Sequence, residues 1–462
     1  MWIGIDFGTT NTSAAFYDGD SLRYVPLDPL NSSPQNLRSM IYIDNQHRVR
    51  LGTAAVQTFL RDDTGRPVVL EEKVVGTIEN TVAQQSRAPG EEEGPITIIY
   101  DVIIEDDVGV RGRLLQSIKT ALRSDSYEGT QIFERYYRVE SLIALLLGHV
   151  KVQAEAHLGQ PVTHAVIGRP VTFSHDDAVD QRAEAKIRQA ATLAGFAEIE
   201  FMPEPVAAAT FYAHQADASK TLLVFDFGGG TLDLTVLRLD TQGAEEVLAS
   251  VGVLVGGDDL DRAIMREHVA PHFGTQTPID TNFDGRKIAF PENMTELLEQ
   301  WQTIPQLTRP KYLEVIQRAI QYGDDRQAFS ALETLATQNY GFALFQAIEQ
   351  AKCDLSAATH SAIDLAMGQS RLHVAMAWAE FNALIALERA EVRAGIRAAL
   401  KAAGITADQV DAVVATGGSS SVPAFQALLR VEIPHAEMVA SDAFGSVTGG
   451  LAMFAHRREK NG

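Results

Sequence analysis

Cysteine is almost missing: Cys353 is the single thiol in 462 residues. One thiol excludes an intramolecular disulfide and any zinc or iron–sulfur centre built on thiolates. It fits a reducing compartment, and we expect a cytoplasmic protein. Basic charge is also short, with 39 Lys and Arg against 60 Asp and Glu, a formal net charge of −21. Such a surface repels a phosphate backbone, so no nucleic-acid partner is expected. Long apolar runs are lacking too. The most apolar helix candidate, Leu142 to Gly148, is followed by His149 and Lys151. It falls well short of the roughly 20 residues that span a bilayer, so no membrane partner is expected. Asp6 interrupts the apolar start of the chain, which argues against a signal peptide. Neither GxxxxGK[ST] nor HExxH occurs, so a P-loop and that zinc motif are excluded. Asp280-x-Asn282-x-Asp284-Gly285 begins like a calcium loop. Its acidic twelfth position is Pro291, however, with Glu292 one step late.

What is present is an internal repeat. Asp6-Phe7-Gly8 recurs as Asp226-Phe227-Gly228, each after a short apolar strand and before a turn of small residues. HAVIG at 164 recurs as DAVVA at 411. Both halves thus run in one order: glycine turn, long middle, buried strand. Between these points Val139 to Leu158, Asp180 to Ala194, Val206 to His214 and Ala379 to Ala403 have helical periodicity. Ala263 to Arg371 reads as mostly helical and Ser446 to His456 as a closing helix. Residues 53 to 113 read as irregular, with a β-rich stretch from Ile96 to Ile104 and a solvated acidic loop at Glu91-Glu92-Glu93. The order predicts two related α/β lobes facing a cleft, a natural nucleotide site.

The turns carry the chemistry. Glycine accepts positive φ, so a tight turn can aim successive N–H groups at one phosphate. In the first turn Gly8, Thr9, Thr10 and Asn11 supply such donors, and Asp6 can hold the water shell of Mg²⁺. In the second, Gly228, Gly229, Gly230 and Thr231 repeat the parts, and Asp226 is joined by Asp233. Three consecutive glycines weaken a strand and serve no packing purpose there.

IGIDFGTTNTSAA (3–15) and FDFGGGTLDLTV (225–236) resemble the two phosphate motifs of the 70-kDa heat-shock family, within the actin and sugar-kinase superfamily. The likeness continues in order through HAVIGRPVTF (164–173), QRAEAKIRQAATLAGF (181–196), MPEPVAAATFYA (202–213), VGGDDLD (255–261), EQAKCDLS (349–356) and TGGSSSVP (416–423). The resemblance implies an α/β fold of two ribonuclease-H-like, actin-like ATPase lobes around a central nucleotide cleft. Lobe one would span about 1–215, with an insertion near 41–113 and the final helix 446–460. Lobe two would span about 216–445, with a helical insertion near 262–370. It implies ATP/ADP with Mg²⁺ and K⁺, and slow hydrolysis to ADP and phosphate. It implies Asp6, Asp226 and Asp233 around the cation, Lys119 on the phosphates and Glu204 beside the attacking water. Lys119 also reads as an ordinary solvated helix lysine. Gly256 and Gly257, Glu349, Lys352 and Ser356, Gly417, Gly418 and Ser419, and Asp442 would surround the nucleoside. Pro170 and Arg182 match positions that relay nucleotide state.

Two departures stand out. The family's adenine-stacking arginines are here Cys353 and Ser421. Losing each removes about 0.5–2 kcal/mol of stacking, which predicts weaker or less base-selective binding. After the closing helix only Arg457 to Gly462 remain, so no peptide-binding β-domain is expected in this chain and clients or co-chaperones would come separately. A small-molecule kinase, an actin-like filament or scaffold, and a nucleotide sensor remain open on the same fold.

Overall fold

The computed structural model describes residues 1–82, 96–124, 126–174, 176–214, 219–240, 245–279, 287–439 and 445–461. Two sheets dominate. In the first, Trp2–Phe7 pairs antiparallel with Asn11–Tyr17 and parallel with His164–Arg169, which in turn pairs parallel with Glu198–Pro203. Leu22–Tyr24 and Leu37–Arg38 add to the outer side of Asn11–Tyr17. In the second, Lys220–Phe227 pairs antiparallel with Leu232–Leu239 and parallel with Ala412–Thr416, which pairs parallel with Glu437–Val439. Glu245–Val253 closes the far edge. The repeat read from the sequence is therefore a repeat of strand order: hairpin, then two parallel strands on the same side. The parallel strands carry unbroken apolar runs because both faces are covered. Ala165, Val166 and Ile167 are fully buried, as are Leu222 to Phe225.

Helices Val139–Leu158 and Asp177–Leu193 bury one face of the first sheet. The second begins where Asp176 accepts from the Ala178 and Val179 N–H groups, satisfying donors the first turn leaves open. Helices Glu204–Ala213 and Gly445–Asn461 pack in a shared apolar cluster with strands of both sheets. They approach closely because Gly450 has no side chain: a Cβ there would lie 1.8 Å from the Ala207 carbonyl oxygen.

Three expectations fail for physical reasons. The stretch read as irregular contains the helix Gly52–Asp63, whose narrow apolar stripe of Ala55, Val56 and Phe59 is buried. The helical reading to Arg371 stops short, because His360–Met367 and Ser370–Ala377 form a hairpin around Gly368, which sits at φ +58°. The alternation of buried Leu372, Val374 and Met376 is its period-2 signature. The helix read across Ala379–Ala403 breaks at Ile385, fully buried and outside helical geometry, into Trp378–Leu384 and Ala386–Ala402. The acidic run Glu91 to Glu93 and the calcium-loop-like stretch from Asp280 to Gly285 lie outside the described residues. Among the described residues no helix is long and apolar enough to cross a membrane.

Candidate functional site

Both glycine turns close with the same hydrogen bond. The Gly8 N–H donates to the Asn11 carbonyl at 3.0 Å, and the Gly228 N–H to the Thr231 carbonyl at 3.0 Å. Phe7 and Phe227, fully buried, anchor the strand ends, so the preceding Asp6 and Asp226 emerge on the opposite face. The strand register places Asp233 opposite Asp226, where the first hairpin has Ser13 opposite Asp6. The extra carboxylate is thus a feature of the second hairpin alone.

The two turns meet. A Cβ on Gly229 would lie 2.3 Å from Thr10 Oγ1. Behind them, a Cβ on Gly256 would lie 2.1 Å from the Gly229 carbonyl oxygen, so Gly256 supports the turn from outside the cavity. Gly417, at φ +79°, brings the third glycine turn against the Phe227 carbonyl. Gly230 faces open space: a Cβ there would meet nothing within 4 Å.

These turns line one cavity of about 420 Å³, within the usual range for a small-ligand site. Asp6, Gly8, Thr9, Thr10 and Asn11 line it from the first sheet, with Lys119 and Glu204. Asp226, Gly228, Gly229, Gly230, Thr231 and Asp233 line it from the second. Gly257, Glu349, Lys352, Ser356, Gly417, Gly418 and Ser419 complete the far end, where Cys353 and Ser421 also stand. Pro170 lines the cavity; Arg182 is exposed on helix Asp177–Leu193 and does not. Asp442 lies outside the described residues. Asp258, Asp261 and Arg123 line the cavity as well and were not singled out from the sequence. The signal for the first two was present: they sit three apart in VGGDDLD, on one face of helix Gly257–Ile264.

Two buried lysines are held by carboxylates at the two ends. Lys119 Nζ donates to Glu204 Oε1 at 2.7 Å. Lys119 is therefore not a solvated helix lysine; it is 9% exposed on the short 3₁₀ helix Ile118–Arg123. Lys352 Nζ donates to Asp261 Oδ2 at 2.8 Å and to the Gly257 carbonyl at 3.0 Å. Burial works against both ammonium groups, yet the surrounding carboxylates outweigh it and raise both pKa values.

The acids respond oppositely. Burial first, then the charge of Glu204, pushes Asp6 up to about 7 against the pull of Lys119. Burial, Glu204 and Asp233 push Asp226 well above its ordinary value, and burial with Glu204 raises Asp233. This acid cluster holds more negative charge than Lys119 offsets, which is the environment a divalent cation relieves. Among the described residues no group of three or more His, Cys, Asp or Glu side chains could hold a metal directly. The residues fit a cation reached through its water shell.

A family model described as Hsp70 protein matches residues 101–296 and 332–456, which together make up more than half of the chain.

Proposed function

Because the chain belongs to the Hsp70 protein family, we propose that it is an ATP-binding molecular switch that hydrolyses Mg-ATP slowly to ADP and phosphate. In this reading residues 1–215 with the final helix form one lobe, residues 216–445 the other, and nucleotide lies between them. The convergence of two glycine turns with Asp6, Glu204, Asp226 and Asp233 on one cavity carries the proposal. The N–H groups and hydroxyls of Thr9, Thr10 and Thr231 bind phosphate oxygens. Asp6, Asp226 and Asp233 orient the hydrated cation. Mg²⁺, when bound, supplies neutralisation of the terminal phosphates, with K⁺ as a second cation. Lys119 adds a positive charge, fixed by Glu204 rather than free to swing. Glu204 orients the attacking water. Phosphoryl transfer to water depends on such positioning and charge balance more than on covalent help. Glu349, Lys352 and Ser356 take the nucleoside end.

Cys353 and Ser421 offer no cation for a base to stack on, so affinity and base selectivity are modest in this reading. The family's work with clients and co-chaperones points to protein partners for this chain as well.

The test is phosphate release from Mg-ATP with K⁺ present, alongside fluorescent-nucleotide binding. Asp226→Ala and Glu204→Ala should each lower release by about 100-fold or more. Saturable ATP binding with no release from the wild type would sink hydrolysis and leave a sensor.

A further inference from the structure

A second chamber of about 330 Å³ adjoins the first. The two share Thr9, Thr10, Thr120, Gly230, Asp258, Asp261 and Glu349. The rest of its wall has different chemistry. Gln116, Gln300, Gln302 and Gln346 contribute amides and Trp301 an indole, and none of these lines the first cavity. The indole is held in place. Trp301 Nε1 donates to Gln116 Oε1 at 3.3 Å, and its ring packs edge-on against Phe342 at 5.0 Å and Phe59 at 5.8 Å. Nearby, residues 63–68 are pinned to 337–339: Gly65 N–H donates to the Gln338 carbonyl, Val68 N–H to that of Thr337, and Asn339 Nδ2 to that of Asp63. The aromatic wall is thus tied on both sides.

The charges on this wall are largely answered from within the protein. Asp261 pairs with Lys352, Glu349 with Arg38, Glu299 with Arg266, and Arg262 with Asp259. Asp258 alone on this wall has no ion pair among the described residues, so an anionic ligand finds no unpaired cation and a cationic one a single carboxylate. Two polar atoms are left over. Asp261 Oδ1 is a buried acceptor without a partner, and Arg262 Nε a buried donor without one. Asp261 is 8% exposed, so water does not reach it freely. A hydroxyl group both donates and accepts, and amides with an aromatic face suit a ring that carries several hydroxyls.

We propose that this chamber binds a neutral polyhydroxylated small molecule, a sugar or polyol, that packs on Trp301 and hydrogen-bonds to the surrounding glutamines. The site goes beyond the nucleotide reading and does not depend on it. Since Thr9, Thr10 and Gly230 border both chambers, the two occupants influence each other's affinity.

The test uses the full chain without nucleotide. D-glucose, D-ribose, myo-inositol and trehalose are titrated separately, followed by calorimetry and by tryptophan fluorescence. Trp301→Phe controls for Trp2 and Trp378. At least one compound should saturate, and Gln300→Leu combined with Gln302→Leu should weaken it about tenfold. Both glutamines are exposed chamber residues, so the variant should fold and bind ATP as the wild type does. Saturation by none of the four, or unchanged affinity in the double variant, overturns the proposal. Because nucleotide is absent, that failure leaves the ATP reading standing, and loss of ATP binding leaves this one standing.

Discussion

The turn after Trp2–Phe7 and the turn after Lys220–Phe227 share strand order and the length of their closing hydrogen bond, yet they differ in backbone and are braced differently. The first is closed on itself: a Cβ on Gly8 would lie 2.3 Å from the Asn11 carbonyl oxygen. The second is loose within itself, the nearest atom to a Cβ on Gly228 being 3.7 Å away. It is held from outside, by the Gly257 N–H on the Gly228 carbonyl at 3.0 Å and the Asp258 N–H on the Gly229 carbonyl at 2.8 Å. Equal hydrogen-bond lengths at the closure therefore hide unequal tolerance. Glycine is needed in the first turn for folding. At Gly230 nothing in the fold requires it, since a Cβ there would meet no atom within 4 Å.

Substitution should separate these roles. Gly8→Ala should destabilise by about 2–3 kcal/mol, since backbone must move. Gly228→Ala should change stability by less than about 1 kcal/mol. Gly230→Ala should fold normally and weaken nucleotide binding by about tenfold, because its methyl enters the ligand's space. Urea denaturation with a nucleotide titration checks all three. Equal destabilisation by Gly8→Ala and Gly228→Ala would show that the turns are braced alike.

Much of this was legible in the sequence. The repeat of Asp-Phe-Gly and of HAVIG with DAVVA reports strand order, because parallel strands buried on both faces must be apolar throughout. The site residues nearest those strands follow, since a strand end fixes where its next residues point. Lys119, Asp258 and Asp261 were harder. Their roles depend on which distant carboxylate or lysine faces them, and Lys119 meets Glu204 across 85 positions of chain. The hairpin His360–Ala377 escapes for a different reason: its first strand mixes small and polar residues without regular alternation, and the period-2 signature of Leu372, Val374 and Met376 covers the second strand alone.

The turns are more alike in charge than in bracing, and pH should reveal this. Asp6 is pushed up to about 7 and Asp261 to about 6, chiefly by burial. A raised folded-state pKa stabilises the protein fully below the ordinary carboxyl value of 3.8 and loses that contribution as pH rises through about 6 to 7. Protein free of Mg²⁺ and nucleotide should therefore melt several degrees lower at alkaline than at mildly acidic pH. Asp180, whose carboxyl the Arg169 hydrogen bonds lower despite burial, acts only below this window. Asp6→Asn and Asp226→Asn should each flatten the slope in differential scanning fluorimetry. A slope unchanged in both would mean these acids are not the groups that take up protons.

The smallest contrast lies in the two serines that brace the turns. Ser39 Oγ donates to the Gly8 carbonyl at 2.8 Å and stands 3.0 Å from Thr12 Oγ1, with both side chains buried. Ser419 Oγ donates to the Gly228 carbonyl at 2.9 Å from the cavity wall, where water can replace it. Removing a buried donor strands its partners; removing a wet one does not. Ser39→Ala should thus cost about 1–2 kcal/mol and Ser419→Ala about 0.5 kcal/mol or less. If thermal denaturation finds Ser419→Ala the costlier change, the second turn leans on its outer braces more than the backbone bonds to Gly257 and Asp258 allow. The looseness seen within it would then be compensated by side chains.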